Sequence, residues 1–477
     1  MMRKNKTLFL LSIVFIFLFS SDFDRPQSSR NKRHKIRQSH VRLPSINDDQ
    51  PFHLKEQRYA PDQVLVKFKP MVSDSHIKTT INAYQANTIK KMRRSNVYQL
   101  QIPKSLTVEE MVWALEQNPD VEYACPNYIV YITAVREPND TFFDYQYALR
   151  NTGQDIGIPG SPHGKDRADI KALEGWEETK GSEDIIIAII DTGIDFEHPD
   201  LKNKPDLEDK ILSNGYDFVD DDEDPFDEIG NPIDGAGHGT WVASIATAKT
   251  DNNEGVAGVA WHCRILPIRA IDIDGTGFVL DLINAIYHAV DNGADVINMS
   301  LGFPLGPSEA VPPLEDALQY AHTNGVVCVA SAGNEGSDVL FPAAYDDYCI
   351  AVAATNYDDE RVTFSNSQGR WESNSGDEID VAAPGVRIVG CVPLWYWGVG
   401  SIPYGFGDGT SASVPHVVGL VALIKSIKPW LSVDEIMDVV RFSADDTNAG
   451  EYPGKDDFIG YGRINMDKAL VPIKITK

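Results

Sequence analysis

The sequence predicts an α/β fold with a doubly wound, mostly parallel sheet, preceded by a smaller α+β unit. The apolar run at residues 185–190 suits a strand that is buried on both faces of a parallel sheet. Downstream of it, strand-like and helical segments alternate, and Gly293 and Gly325 follow two of the predicted helices. Ligand sites in such sheets lie at the carboxyl ends of the strands. We therefore expect the polar residues that follow each strand, from Asp191 onward, to gather at one edge.

The same alternation places the elements of the larger unit in chain order. Strands are predicted at residues 185–190, 264–270, 295–299, 326–330 and 349–353. Helices are predicted at residues 279–290, 313–322 and 417–427. A succession of strand, helix and strand is typical of a parallel α/β sheet.

Residues 1–21 have the pattern of a secretory signal peptide. Arg3, Lys4 and Lys6 precede an apolar run at residues 8–19, and two serines follow it. This run is short for a membrane span, but the residues before the serines are bulky, so an uncleaved anchor stays open as the alternative. No later segment of the sequence approaches membrane-spanning length. The prediction is a secreted, extracellular protein without a stable membrane span.

Residues 22–58 are predicted to be a basic, disordered linker. They lack hydrophobic periodicity and contain the basic segment RNKRHKIR at residues 30–37. A processing site for a trypsin-like protease is the alternative interpretation of that segment.

Residues 59–133 have the pattern of a small unit with mixed elements. Strands are predicted at 63–68, 97–102, 121–124 and 128–132, and helices at 73–85 and 108–116. Thr107 is positioned to cap the second helix, whose first turn contains Glu109 and Glu110. Two helices on one face of a small antiparallel sheet would bury a modest core.

The charge of the chain excludes one class of partner. Its 477 residues, too many for one typical domain, carry a net charge of −27, and residues 134–477 alone carry −35. The phosphates of a nucleic acid would be repelled by such a protein. The same acidity suits a protein that stays soluble outside the cell and one that binds hard cations.

The five cysteines indicate neither a zinc site nor a disulfide framework. None has CxxC spacing, and four of them lie in or beside apolar, strand-like runs. Buried free thiols are the favoured interpretation, and one disulfide among them stays open.

Ser411 lies where a tight turn leads into an apolar helix, in the segment GTSASVPHVVG at residues 409–419. The free N–H groups at a helix N-terminus favour negative charge. Serine in that position is a common helix cap. It is also a candidate nucleophile, whose attack creates an oxyanion that the same N–H groups would stabilise. The nucleophile interpretation needs a base, an orienting carboxylate and a second oxyanion donor.

Three other polar residues supply those groups. Asp191 follows the first long strand, His238 lies between two glycines where a helix begins, and Asn334 follows a later strand. Taken singly, each has an ordinary interpretation: a turn-capping aspartate, a packed histidine and a turn asparagine. Together with Ser411 they meet the requirements for acyl transfer through a tetrahedral intermediate.

The segments DTGID, GHGTWVAS, SAGNEG and GTSASVPHVVG occur in this order and closely resemble the motifs of the subtilisin-like serine proteases. The resemblance extends from about residue 140 to 470. It implies that Asp191 is the orienting acid, His238 the general base and Ser411 the nucleophile, with Asn334 as oxyanion donor. Trp241 and Ala412 stand where the family often has histidine and methionine, but neither position takes part in bond making or breaking.

The resemblance also implies a cleft that binds an extended peptide as an added strand. Its walls would be the segments Ser300, Leu301, Gly302 and Ala330, Ser331, Ala332, Gly333. The aromatic stretch at residues 391–406 is longer than usual for the family. It is predicted to be a packed hairpin, with a loop that narrows the cleft as the alternative.

Residues 59–133 resemble the inhibitory pro-domain of the same family, and residues 134–477 would then be the peptidase domain. The resemblance implies that the pro-domain is an intramolecular chaperone and inhibitor that is cut off during maturation. The mature chain would begin between residues 132 and 140.

Two clusters resemble structural calcium sites of the family. The first comprises the side chains of Asp200 and Asn252 with the carbonyl groups of Thr250, Glu254 and Val256. The second comprises Asp217, Asp220, Asp222 and Asp224, for which a solvated acidic loop is the alternative. Oxygen ligands at alternating positions are what calcium requires.

The sequence thus predicts a secreted, calcium-stabilised serine endopeptidase that acts on polypeptides. Two alternatives come from other classes of protein. One is a binding module with the same fold that no longer cuts. The other is a lipase or esterase, but its G-x-S-x-G signature is absent around Ser411.

Overall fold

The computed structural model describes residues 59–92, 95–128, 137–156, 164–202, 210–230, 235–306, 309–396 and 402–471. These residues form two compact units, one that ends at Tyr128 and one that begins at Glu137. The predicted signal peptide, the basic linker and the boundary between the two predicted domains lie outside the described residues.

The smaller unit is a four-stranded antiparallel sheet with two helices. Its elements are β1 (Tyr59–Phe68), α1 (Asp74–Ala83), β2 (Asn87–Lys91), β3 (Val97–Gln101), α2 (Val108–Glu116) and β4 (Val121–Tyr128). The strand order is β2-β3-β1-β4. Thr107 caps α2 as predicted, in a reciprocal capping box with Glu110. The prediction differs from the structure in two places. The strand β2 was not predicted, and residues 121–128, which were expected to contain one strand and the start of another, form the single strand β4.

The larger unit has nine strands and seven α-helices among its described residues. The strands are β5 (Ile186–Asp191), β6 (Tyr216–Asp217), β7 (Arg264–Arg269), β8 (Val296–Met299), β9 (Val327–Ser331), β10 (Cys349–Thr355), β11 (Ile379–Pro384), β12 (Ile388–Cys391) and β13 (Tyr404–Gly407). The helices are α3 (Ala172–Glu178), α4 (His238–Thr247), α5 (Val279–Asp291), α6 (Pro312–Thr323), α7 (Thr410–Ile427), α8 (Val433–Ser443) and α9 (Met466–Leu470).

Seven of these strands form a parallel sheet in the order β11-β10-β9-β8-β5-β7-β6. Along β5, Ile187 and Ile189 belong to the core that includes α4 and α7. Ala188 and Ile190 belong to the core that includes α5 and α6. Both faces of the sheet are therefore covered by helices, which confirms the predicted doubly wound architecture. The strand order reverses beside β5, so a crevice is expected at the carboxyl ends of β5 and β8.

Helix α7 is the central helix of the larger unit. Among the described residues, it alone is long and apolar enough to pass for a membrane span. The prediction that no later segment approaches that length was wrong for this helix. The helix is 89% buried because it packs in the core against the sheet. A helix that is buried on all sides is apolar on all sides, which explains its composition.

The stretch at residues 391–406 belongs to a hairpin, in which β12 pairs antiparallel with β13. This favours the packed-hairpin prediction; residues 397–401 lie outside the described part of the chain. All five cysteines are free thiols, and Cys263, Cys328, Cys349 and Cys391 are buried.

Candidate active site

Asp191 is the last residue of β5 and lies at the predicted edge of the sheet. Its side chain is buried, and its Oδ1 accepts a hydrogen bond from the backbone N–H of Thr192 at 2.8 Å. The same oxygen lies 2.8 Å from Nδ1 of His238. Because an ionised carboxylate only accepts hydrogen bonds, this contact places a proton on Nδ1 and leaves Nε2 as the basic nitrogen.

His238 is the first residue of α4. Gly237 precedes it with a φ of 90°, a conformation that favours glycine. Burial lowers the pKa of the imidazole, but the charge and hydrogen bond of Asp191, together with the charge of Asp227, raise it above its usual value. The aromatic ring of Trp241 lies 5.9 Å from the imidazole, centroid to centroid.

Ser411 is the second residue of α7, which begins after Gly409. The serine is buried, and its Oγ has no hydrogen-bond partner among the described residues. Its carbonyl oxygen accepts a hydrogen bond from the hydroxyl of Ser300 at 2.9 Å, and that hydroxyl accepts one from Asn298 at 3.0 Å. The backbone of the candidate nucleophile is thus held by the end of β8, while its hydroxyl stays available.

Asn334 follows β9, and its amide is oriented by the turn before Ser411. Its Oδ1 accepts hydrogen bonds from the N–H and the hydroxyl of Thr410, at 2.8 and 3.1 Å. The amide nitrogen is left to donate. A Cβ atom at Gly409 would lie 3.1 Å from Oγ of Ser411 and 3.6 Å from Nδ2 of Asn334. The hydroxyl and the amide therefore lie close to the same glycine, whose φ of 143° and lack of a side chain leave the space open.

A cavity of about 270 Å³ connects these groups, and Asp191, His238, Asn334 and Ser411 all line it. The predicted wall residues Ser300, Leu301, Gly302, Ser331 and Gly333 line it as well. Ala330 and Ala332 are fully buried and do not contact the cavity. An apolar region formed by Ile271, Phe278, Val279 and Leu282 completes the lining. The shape and composition suit an extended peptide with apolar side chains.

Leu340 also lines this cavity, and sequence reasoning missed it. It lies between the two walls, since a Cβ atom at Gly302 would approach its Cβ to 2.9 Å and one at Gly333 its Cγ to 2.8 Å. Its backbone N–H donates to the carbonyl of Ala332 at 2.9 Å. Leu340 is in a loop and belongs to none of the matched motifs. The only related signal in the sequence is the pair of glycines, Gly302 and Gly333, whose lack of a side chain makes room for it.

In the first predicted calcium cluster, Asp200 contacts two of the other predicted ligand residues, Asn252 and Val256. Asp200 is buried and accepts hydrogen bonds from the side-chain amide of Asn252 at 2.8 Å and from the N–H of Val256 at 2.9 Å. Burial raises the pKa of Asp200 to about 6. Among the described residues, no three His, Cys, Asp or Glu side chains form a cluster that could hold a metal. A cation here would depend on amide and carbonyl oxygens as well as carboxylates.

Asp140 belongs beside that cluster, although the sequence did not point to it. It is 5% exposed, and its Oδ2 accepts from the N–H of Asp251 at 2.8 Å. Its Oδ1 is buried without a hydrogen-bond partner among the described residues. Burial raises its pKa to about 7, and the charges of Asp200 and Asp251 contribute in the same direction. An orphaned carboxylate oxygen close to another buried carboxylate fits a hard cation.

The second predicted calcium cluster does not fit a metal as it is arranged. The guanidinium of Arg269, 1% exposed, contacts Asp217 at 2.6 Å and Asp220 at 2.7 Å. Glu228 and Asp272 contact the same guanidinium at 3.1 and 2.9 Å. Asp222 and Asp224 are outside this ion-pair network; Oδ1 of Asp222 accepts from the N–H of Asp224. Arg269 therefore neutralises Asp217 and Asp220, two of the four carboxylates that were expected to hold calcium.

Comparisons with known proteins agree with the geometry. Residues 182–462 match the sequence model of the subtilase family, Peptidase S8, and residues 47–127 match that of the fervidolysin N-terminal prodomain. The thermophilic serine proteinase of Bacillus sp. (strain AK1) is 38% identical over 414 residues, which cover 86% of this chain and 88% of that protein.

Two further proteins are similar over most of this chain. The halolysin-like extracellular serine protease Nep of Natrialba magadii is 36% identical over 356 residues, covering 74% of this chain and 56% of that protein. The crystal structure of fervidolysin from Fervidobacterium pennivorans, a keratinolytic enzyme related to subtilisin, matches with a TM-score of 0.51 and 26% identity. That match covers 89% of this chain and 63% of fervidolysin.

Proposed function

Because this chain belongs to the subtilase family and is a serine endopeptidase with an N-terminal prodomain, we propose that it cuts polypeptides with the triad Asp191, His238 and Ser411. The observation that carries this proposal is the 2.8 Å contact between Nδ1 of His238 and Asp191, in a cavity that Ser411 and Asn334 also line.

The proposed reaction begins when Oγ of Ser411 attacks the carbonyl carbon of the scissile bond. Nε2 of His238 takes the hydroxyl proton, and Asp191 stabilises the imidazolium that forms. Two donors stabilise the tetrahedral oxyanion: Nδ2 of Asn334 and the N–H of Ser411 in the first turn of α7, where helix N–H groups have no intrahelical acceptor. The proton of His238 then passes to the leaving amine. Water, activated by the same imidazole, hydrolyses the acyl-enzyme.

Leu340 limits the substrate side chain that enters the pocket beside Ser411. Its side chain lies between the walls at Gly302 and Gly333, where the residue before the scissile bond would bind. We therefore propose that small side chains are preferred there and aromatic ones are excluded by volume.

This preference is tested with two chromogenic peptides that differ only in having alanine or phenylalanine before the scissile bond. Leu340→Ala should raise the ratio of kcat/KM for phenylalanine over alanine by about ten-fold or more, because each methylene of pocket space is worth roughly 1–3 kcal/mol. Leu282→Ala, which changes a leucine of the apolar region on α5, is the matched control and should leave that ratio unchanged. An unchanged ratio in Leu340→Ala would place the pocket elsewhere.

The enzyme is proposed to be secreted as an inactive precursor. Two observations support secretion: the basic and apolar pattern of residues 1–21, and the similarity to Nep of Natrialba magadii, an extracellular serine protease. The prodomain match supports residues 59–133 as an intramolecular inhibitor that is removed during maturation. Polypeptide substrates and this inhibitor are the partners we propose.

Calcium is proposed as a structural ion at the first cluster only. The side chains of Asp140, Asp200 and Asn252 would hold it, together with the carbonyl groups of Thr250, Glu254 and Val256. The ion would neutralise two buried carboxylates and join the segments that carry them. It takes no part in the proposed reaction. The second cluster is assigned to Arg269 instead.

Self-processing tests the assignment of the nucleophile. Ser411→Ala should leave the full-length precursor uncut, because the proposed mechanism has no other nucleophile; electrophoresis and mass spectrometry of the purified chain measure this. Ser413→Ala, which changes a buried serine two residues further along α7, is the matched control and should process normally. Cleavage of the Ser411→Ala precursor between residues 132 and 140, in a host without a competing protease, would remove Ser411 from the mechanism.

A further inference from the structure

A second buried carboxylate, Asp227, lies close to the proposed catalytic pair. It is 0% exposed and is located between β6 and α4. Its Oδ1 accepts from the hydroxyl of Thr192 at 3.1 Å and from the N–H of Gly237 at 2.9 Å. Its Oδ2 accepts from the N–H and the hydroxyl of Thr240, at 3.1 and 2.6 Å. Burial raises the pKa of Asp227 to about 7, and the hydrogen bonds from Thr240 and Gly237 act in the opposite direction by favouring its ionised form.

The hydroxyl groups of Thr192 and Thr240 both donate their protons to Asp227. The oxygen of Thr192 already accepts from the N–H of Gly239 at 2.9 Å. The oxygen of Thr240 already accepts from the N–H of Asp195 at 2.9 Å. Each hydroxyl group has a single proton to donate, and in both cases the acceptor is the carboxylate of Asp227. The network is therefore directional, and every link ends on the carboxylate of Asp227.

This network connects both halves of the catalytic pair. Thr192 follows Asp191 and donates its N–H to that carboxylate. Gly237 and Gly239 flank His238. The loop after β5 and the start of α4 also approach very closely, since a Cβ atom at Gly239 would lie 2.1 Å from the carbonyl oxygen of Gly193. The distance between the orienting acid and the base is thus set by two segments that Asp227 holds together.

Asp227 also acts on the base through its charge. Burial lowers the pKa of His238, and the two carboxylates that raise it are Asp191, by contact, and Asp227, through space. In its ionised form, which is favoured above a pH of about 7, Asp227 stabilises the imidazolium that forms during proton transfer.

We infer that Asp227 is a positioning residue for the proposed general base, one that fixes His238 against Asp191 and supplies a second negative charge to the imidazole. None of the family motifs quoted above contains Asp227, and its four hydrogen bonds go to residues on both sides of the pair. The inference rests on the proposed function, in which His238 is the base.

Asp227→Asn tests the inference, because asparagine keeps the shape but loses the charge and turns an N–H₂ group toward the donors. We expect kcat on a small peptide substrate to fall by about ten-fold or more with little change in KM. The neutral imidazole is the active form, so activity is lost as pH falls through the pKa of His238. Loss of a negative charge lowers that pKa, and the acid limb of the pH profile should move to lower pH.

Asp380→Asn is the matched control. Asp380 is equally buried, on β11, where it accepts from Ala351 at 2.9 Å and pairs with Arg441 at 2.6 Å. Its loss should lower thermal stability and leave the acid limb where it is. Thr192→Val removes one link of the network and should give a smaller fall in kcat, which Thr192→Ser should restore. An equal loss of kcat in Asp227→Asn and Asp380→Asn, with the acid limb unmoved in both, would overturn the inference.

A readout that needs no activity separates this inference from the proposed function. The imidazole of His238 is titrated by NMR in the full-length Ser411→Ala chain, with His238→Gln to assign its signal. The pKa of His238 should be lower when Asp227→Asn is added and unchanged when Asp380→Asn is added. An unchanged pKa with Asp227→Asn would contradict the inference. If the pKa moves but His238→Ala remains active, the role of His238 as the base fails while its electrostatic interaction with Asp227 stands.

Discussion

The two acidic clusters of the larger unit differ in what neutralises them. At the first, Asp140 and Asp200 are buried, the donors that reach them are neutral, and one oxygen of Asp140 has no partner among the described residues. At the second, Asp217 is equally buried, but the guanidinium of Arg269 contacts both it and Asp220. Among the described residues, no positively charged side chain pairs with Asp140 or Asp200, whereas Arg269 pairs with the carboxylates of the second cluster.

The difference shows why a run of aspartates does not by itself specify a metal site. The segment at residues 217–224 is the more acidic of the two in sequence, and both a calcium site and a solvated acidic loop were open interpretations of it. Its counter-charge comes from Arg269 on β7, 52 positions from Asp217. A buried carboxylate needs compensation, and either a metal or an arginine supplies it.

The largest effect is expected from Arg269→Leu, which removes the cation of the second cluster. Asp217 would then be buried without its partner, and breaking a buried ion pair from one side typically costs about 3–5 kcal/mol. We expect a large fall in the melting temperature of the full-length Ser411→Ala chain, measured by calorimetry. Arg361→Leu, which breaks a pair with Glu372 that is less buried, is the control and should cost less. A melting temperature unchanged by Arg269→Leu would show that the network contributes nothing to stability.

A smaller effect is expected from Asp200→Asn, which removes a carboxylate of the first cluster. Binding to the folded state alone stabilises by about 2.7 kcal/mol at a hundred-fold excess over Kd. Chelation should therefore shorten the thermal half-life of the mature parent enzyme by about ten-fold or more. Asp200→Asn should already have a short half-life and respond little to the chelator, while initial rates stay the same in both.

The smallest effect is expected from the control for that experiment, Asp224→Asn. This carboxylate has no part in the Arg269 network, so both the half-life and the response to chelation should match the parent. A short half-life in Asp224→Asn would return calcium to the second cluster. A half-life unaffected by chelation in the parent would remove calcium from the account altogether.

The central sheet could be predicted from the sequence because its inner strands are apolar and because glycine follows α5 and α6. The strands β5 and β7 to β10 lie within two residues of their predicted bounds. The strand β11 was missed because its short run contains Asp380, a charge that is compensated by Arg441 and the N–H of Ala351 in the folded protein. The strand β2 was missed because it is exposed and polar and is stabilised by backbone pairing with β3.

The candidate site was predictable to the extent that its residues lie in contiguous motifs. Asp191, His238, Asn334 and Ser411 do, and all four line one cavity. Asp140, Asp227 and Leu340 do not, because their roles depend on contacts that the fold creates. Asp140, for example, meets the N–H of Asp251 across 111 positions of the chain. Single residues of this kind leave no periodicity or spacing in the sequence from which to infer them.

The central claim, that Ser411 is activated by His238 and Asp191, is tested most directly by labelling with a fluorophosphonate. This probe reacts with an activated serine and marks its position. The mature enzyme should take up one label per chain, which peptide mapping should locate at Ser411, and labelling should fall sharply in His238→Ala. Stoichiometric label on any other serine, or unchanged labelling of Ser411 in His238→Ala, would contradict the account.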